Sequence, residues 1–124
     1  MSKPISLQQA IEMTSLYRKE KENILDPGFK GRNILVNSET FDRADIDALL
    51  AEPDCKSIRV YYGMDDLFQV HAIIVGVNSN DEDILPSIEI ASKSTDTPDS
   101  GGYAIEEGIR CPPACPKPSS LNGG

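Results

Sequence analysis

The sequence contains no tryptophan, a single histidine and only three cysteines in 124 residues. Each scarcity removes a class of function. Without tryptophan, and without a basic run interleaved with aromatics, a stacking platform for single-stranded nucleic acid is unsupported. With one histidine, a Cys55/His71 dyad is the thiol–imidazole option for nucleophilic catalysis. Nothing local activates Cys55, and the adjacent Asp54 would raise a thiol pKa. Three cysteines are too few for a disulfide scaffold, and the odd count fits a reducing compartment.

Long apolar runs are missing too. No window approaches the roughly 18 apolar residues of a membrane span. Met1 to Gln8 has no apolar signal core. The expectation is a soluble, cytoplasmic protein. No G-x-S-x-G, G-x-x-x-x-G-K-[ST] or G-x-G-x-x-G pattern occurs. Gly101 and Gly102 lack a following helix and a basic neighbour, so they are no phosphate cradle. Asp65-Asp66 and Glu106-Glu107 could supply paired carboxylates, but adjacent acids read first as solvated surface.

Positive charge is scarce in the second half. The net charge is −8. Residues 1–62 hold nine Lys/Arg against ten Asp/Glu, and residues 63–124 hold three against ten. Nucleic-acid binding relies on Lys and Arg displacing counterions, so an acidic half opposes it. It also disfavours anionic membrane surfaces. A protein partner with a basic surface is the natural complement.

What is present reads as one domain over residues 1–109, followed by a Pro/Gly-rich tail over 110–124. Apolar residues are 39 % of the chain, a low share that points to loose packing in the last forty residues. Ser6 and Gln9 have capping-box spacing, with Ile5 and Ala10 at the staple positions. Leu7, Ala10, Ile11, Thr14 and Tyr17 then recur at helical spacing. Asp26-Pro27-Gly28 ends that helix by Leu25. Asn33 to Asn37 is expected to be a short strand. Asp42 is expected to cap a second helix, with Asp45 in its first turn and a Phe41/Ile46 staple. Ile46, Leu49 and Leu50 form its buried stripe, and Pro53-Asp54 ends it.

Ser57–Gly63 and Leu67–Val77 form a predicted β-hairpin around Met64-Asp65-Asp66. The second strand is apolar on both faces from Ala72 to Val77, so it should be covered on both sides. Gly76 marks a bulge or a close contact. Tyr61 and Tyr62 should face opposite ways, one in the core and one free; an exposed Tyr with Phe68 opposite reads as a candidate binding anchor or, in preference, as cross-strand packing. Ile84–Ile90 has room for one more short element. Residues 92–102 read as a loop, and Tyr103-Ala104-Ile105 as a short edge strand. The fold class is α+β: two N-terminal helices packed on a small, mainly antiparallel sheet, with an irregular Pro-rich C-terminal tail.

Two metal patterns need weighing. Cys55, His71, Cys111 and Cys115 match a tetrahedral Cys₃His zinc set in number and type. Against it, Cys111-Pro112-Pro113-Ala114-Cys115 is not a C-x-x-C knuckle, and proline removes amides that would stabilise thiolates. A Cys111–Cys115 disulfide meets a reach problem. Polyproline II geometry would set the Cα atoms roughly 12 Å apart, against the roughly 7 Å limit of a disulfide, so only a turn at Pro113-Ala114 could close the bond. The bland expectation is a pair of small apolar residues anchoring the tail. Asn78, Asn80, Glu82 and Glu89 have EF-hand-like spacing, but Asp83 stands where glycine is required, so a solvated turn is favoured over calcium.

The stretch from Leu49 to Tyr62 (L-A-E-P-D-C-K-S-I-R-V-Y-Y after Leu49), the opening Ile5-Ser6-Leu7, the ending Val75-Gly76-Val77 and the C-P-P-A-C segment resemble a family of small uncharacterised bacterial proteins, chiefly from the Bacteroidota. The resemblance implies no activity, cofactor or catalytic residue. It implies only that the three cysteines belong to one design. The sequence therefore favours a non-enzymatic interaction or accessory protein with an acidic surface and no cofactor. The alternative is a zinc or thiol-redox protein using Cys55, Cys111 and Cys115.

Overall fold

The computed structural model describes residues 2–85, 104–105 and 108–123. The order of elements is α1 (Leu7–Glu20), a 3-10 turn (Pro27–Phe29), β1 (Ser38–Thr40), α2 (Arg43–Leu50), β2 (Ser57–Met64), β3 (Val70–Val77), β4 (Asp83–Ile84), β5 (Ala104–Ile105) and β6 (Ile109–Cys111). Two helices with antiparallel strand pairs make this an α+β fold.

The hairpin is the centre of the molecule. β2 and β3 pair from Ser57↔Val77 to Met64↔Val70. β3 also takes β4 at Gly76↔Ile84 and β5 at Ile74↔Ile105. Ile74, Val75, Gly76 and Val77 are all buried, as an apolar run covered on both faces requires. Leu49 of α2 packs on Ile74 and Ile105, with Phe41, Ile46 and Cys55 around them. Gly76 lies beneath the Cys55 sulfur. A Cβ added there would sit 2.9 Å from Cys55 Sγ, so the position admits only glycine without repacking. β3 starts later than its apolar run suggests. Asp65 Oδ1 accepts from the Leu67 and Gln69 amides, and Phe68 adopts φ +65°, which holds that stretch as a turn.

α1 begins as its capping spacing predicts, with Ser6 Oγ accepting from the Gln9 amide. Asp42 occupies the N-cap of α2 but makes no side-chain capping bond. α1 buries no residue. It is tied to the body by polar side chains. The Tyr17 hydroxyl donates to the Val36 carbonyl at 2.7 Å and Lys21 Nζ to the Leu35 carbonyl at 2.9 Å. Arg18 donates to the Leu121 carbonyl, which brings the C-terminal segment alongside. These bonds use carbonyls that a strand over Asn33–Asn37 would have needed. That expected strand does not form: Asn33 has φ +56°, and pairing begins only at Ser38.

β1 pairs with β6 in a separate two-stranded sheet, Ser38↔Cys111 to Thr40↔Ile109. β6 runs across the 109/110 boundary, so Arg110 and Cys111 are strand residues. After β6 the segment turns back, with the Cys111–Pro112 and Pro112–Pro113 bonds cis and the Ala114 amide donating to the Arg110 carbonyl. Cys111 and Cys115 thereby form a disulfide with their Cα atoms 4.5 Å apart. The extended geometry expected from the prolines is not adopted. The expected loop over 92–102, most of Ile84–Ile90, and Tyr103 lie outside the described residues.

Candidate functional site

The residues singled out from sequence as a metal set fall into three places. Cys111 and Cys115 are bonded to one another. Cys55 is a free thiol in the α2 core, donating to the Ser57 carbonyl at 3.4 Å. His71 sits on β3 with Nε2 at 2.7 Å from Asp65 Oδ2. Among the described residues, no three His, Cys, Asp or Glu side chains converge on a point that could hold a metal ion. In this structure Cys111 and Cys115 are disulfide sulfurs rather than the thiolates that zinc requires. The disulfide also removes the cysteine argument for a reducing compartment. Among the described residues, no helix is long and apolar enough to cross a membrane.

The Asn78–Asp83 turn satisfies itself. Asn78 Oδ1 accepts from the Asn80 and Glu82 amides, and its Nδ2 donates to Glu82 Oε1. Glu89, the twelfth position of the calcium pattern, lies outside the described residues. Tyr61 and Tyr62 do not split into core and surface. They are 44 % and 78 % exposed, because β2 is uncovered on both faces. Phe68 packs edge-on against Phe29 at 5.6 Å rather than serving as an anchor across from a tyrosine.

The most developed site is one that sequence reasoning missed. Among the described residues, no strand lies beside the outer edge of β3 at Val70 and Ala72, beyond β5. Side chains from the small sheet close it instead. Arg110 NH2 donates to the Val70 carbonyl at 3.0 Å and also reaches the Asn33 and Ile34 carbonyls. Glu39 Oε1 accepts from the Ala72 amide at 2.8 Å. Glu39 and Arg110 are register partners across β1 and β6. One charged pair thus docks the small sheet on the main one. Among the described residues, each member keeps an unused group: Glu39 Oε2 and Arg110 Nε are buried without a hydrogen-bond partner.

Above Glu39 lies a groove of about 260 Å³, lined by Tyr17, Leu35, Val36, Ser38, Tyr62, Val70 and Ala72. Its walls are apolar apart from Ser38, Glu39 and the two phenols. Tyr17 forms one wall, and burial pushes its phenol above the ordinary tyrosine value, with Arg110 pulling the other way and Glu22 adding to the rise. Tyr62 also lines the groove and is 78 % exposed. Two shallower apolar surfaces continue from this groove. One shares Tyr17 and runs along Met13, Leu16 and Ile24, and the other shares Ile24 and runs to Phe29, Met64 and Phe68.

No protein-family model matches the sequence, and neither the curated proteins nor the solved structures provide a significant match. The functional reading therefore rests on the groove and its chemistry.

Proposed function

We propose that the chain is a non-enzymatic interaction protein that engages a partner with a basic surface, and that the groove over Glu39 receives a lysine or arginine side chain of that partner. The observation that carries this reading is Glu39, which lines the groove together with Tyr17 and Tyr62 and whose Oε2 is buried without a hydrogen-bond partner among the described residues. A buried carboxylate oxygen without a partner is costly, and a cation that reaches it removes that cost. The aliphatic stem of a lysine suits Leu35, Val36, Val70 and Ala72. Its ammonium group gains from the tyrosine faces. The volume fits one side chain rather than a drug-sized ligand, which typically needs about 300–1,000 Å³.

Charge selects the class of partner. At −8, the chain repels acidic proteins and nucleic acid and steers basic ones towards it. The test is a comparison of baits. Wild-type chain and Glu39→Gln chain are immobilised, and proteins retained from a lysate of the source cells are identified. A basic protein held by wild type and lost from Glu39→Gln, then rebound in purified form, is the expected outcome. Identical retention by both baits, or no retained basic protein, contradicts the reading.

A further inference from the structure

We infer that β2 is a self-association edge, on which a second copy of this chain adds its own β2 antiparallel about a two-fold axis at Tyr61. The observation is independent of the groove. Opposed residues in an antiparallel pair exchange both backbone bonds or neither. On β3, the Val70 amide donates to the Ile34 carbonyl and the Ala72 amide to Glu39, both at 2.8 Å and both away from β2. Their partners Met64 and Tyr62 therefore aim their backbone groups at the outer edge. The period of two extends this to Val60 and Ile58.

Among the described residues, nothing protects that edge in the usual ways. β2 is eight residues long and contains no proline. Natural edges of such length are blunted by charge, proline, bulges or a covering element. Among the described residues β2 pairs with β3 alone. Its one charge, Arg59, is held within the chain by Asp81 at 2.7 Å and Asp83 at 2.6 Å. The outward row Ile58, Val60, Tyr62 and Met64 is 46 %, 40 %, 78 % and 61 % exposed.

The register decides the occupant. Pairing about Tyr61 sets Ile58 against Met64 and Val60 against Tyr62 of the other copy. Arg59 falls opposite Gly63, not opposite itself. Just beyond the strand ends, Lys56, whose partner within the chain is the exposed Asp54 at 3.9 Å, falls beside the Asp65-Asp66 turn of the other copy, and the symmetry makes this contact twice. A basic segment would find only Arg59 along the strand itself, so the edge suits a second copy better than the groove's partner. Long-range repulsion between two copies at −8 is screened beyond about 8 Å at physiological salt.

Sedimentation equilibrium of the full chain at physiological salt, from micromolar to millimolar concentration, tests the pairing. The mass should rise from 13.5 kDa towards twice that value. Lys56→Glu and Asp66→Lys should each weaken association by about fivefold, and the double swap should restore it. Both positions are exposed, so folding is not at stake. Amide exchange gives a second readout: the Ile58, Val60, Tyr62 and Met64 amides should become protected as concentration rises. A chain that stays monomeric throughout overturns the inference. So does a dimer indifferent to the charge swap, or one whose β2 amides exchange equally at all concentrations.

Discussion

Gly76 is where sequence, packing and stability meet in one residue. Its missing Cβ makes room for the Cys55 sulfur over the α2 core. Gly76→Ala is expected to destabilise by about 1–3 kcal/mol through overpacking. The same change in a Cys55→Ala background should cost clearly less, since the clashing atom is gone. Urea unfolding of the four proteins checks this. A second residue-scale prediction concerns acid. Asp83 is held below the usual carboxylate range, chiefly because the Tyr61 hydroxyl donates to it, with Arg59 contributing hydrogen bonding and charge. Asp65 is lowered by His71 and Asp54 by Ser79. A depressed folded-state pKa adds stability that is complete above the ordinary carboxylate range and is lost as pH falls through the depressed values. Tyr61→Phe should therefore raise the Asp83 pKa towards its ordinary value and move the onset of acid unfolding to higher pH. Carboxyl titration by NMR reads the first effect directly, and an unmoved Asp83 would sink the assignment.

Among elements, the small sheet is the informative one. β1 and β6 are short, and β6 reaches the hairpin through Arg110 rather than through a shared strand. Arg110→Ala should cost about 2 kcal/mol, since it strips a donor from the Val70 and Ile34 carbonyls. The Cys111→Ser/Cys115→Ser double variant should cost about 2 kcal/mol, because the closed loop is short. Both changes loosen the same unit, so combining them should cost less than their sum. Exchange protection lost over Ile109–Cys111 and retained in β3 would support this. Uniform loss across the protein would argue against a separable unit.

This sheet also shows where the sequence stops being legible. The Ser6 cap, the hairpin, the covered β3 and the close approach at Gly76 are local signals, and the fold follows them. The Glu39–Arg110 pairing joins residues far apart in the chain, and no periodicity announces it. Asn33–Asn37 has the composition of a strand, but its carbonyls are taken by Tyr17 and Lys21 of α1. The disulfide depends on a turn that two prolines disfavour, and the segment does turn back on itself, with the Ala114 amide donating to the Arg110 carbonyl.

For the whole molecule, an acidic chain presents two open surfaces with different chemistry. The groove over Glu39 is apolar with a buried anionic floor, and suits a cation. The β2 edge is apolar with opposite charges at its two ends, and suits its own copy. The acidity of the chain is plain from the sequence, and the basic partner it suggests is a proposal. Glu39 is not singled out there, because it is one acid among twenty until the fold places it in a groove with Tyr17 and Tyr62. The most direct measurement is an NMR titration of the full chain with n-butylammonium, the side-chain head of lysine, beside n-butanol as the neutral control. Saturable shifts at Glu39, Tyr17, Tyr62 and Ala72 with the ammonium alone, abolished by Glu39→Gln, are the predicted result. Equal response to both probes, shifts scattered over the acidic surface, or a response that survives Glu39→Gln would contradict the account.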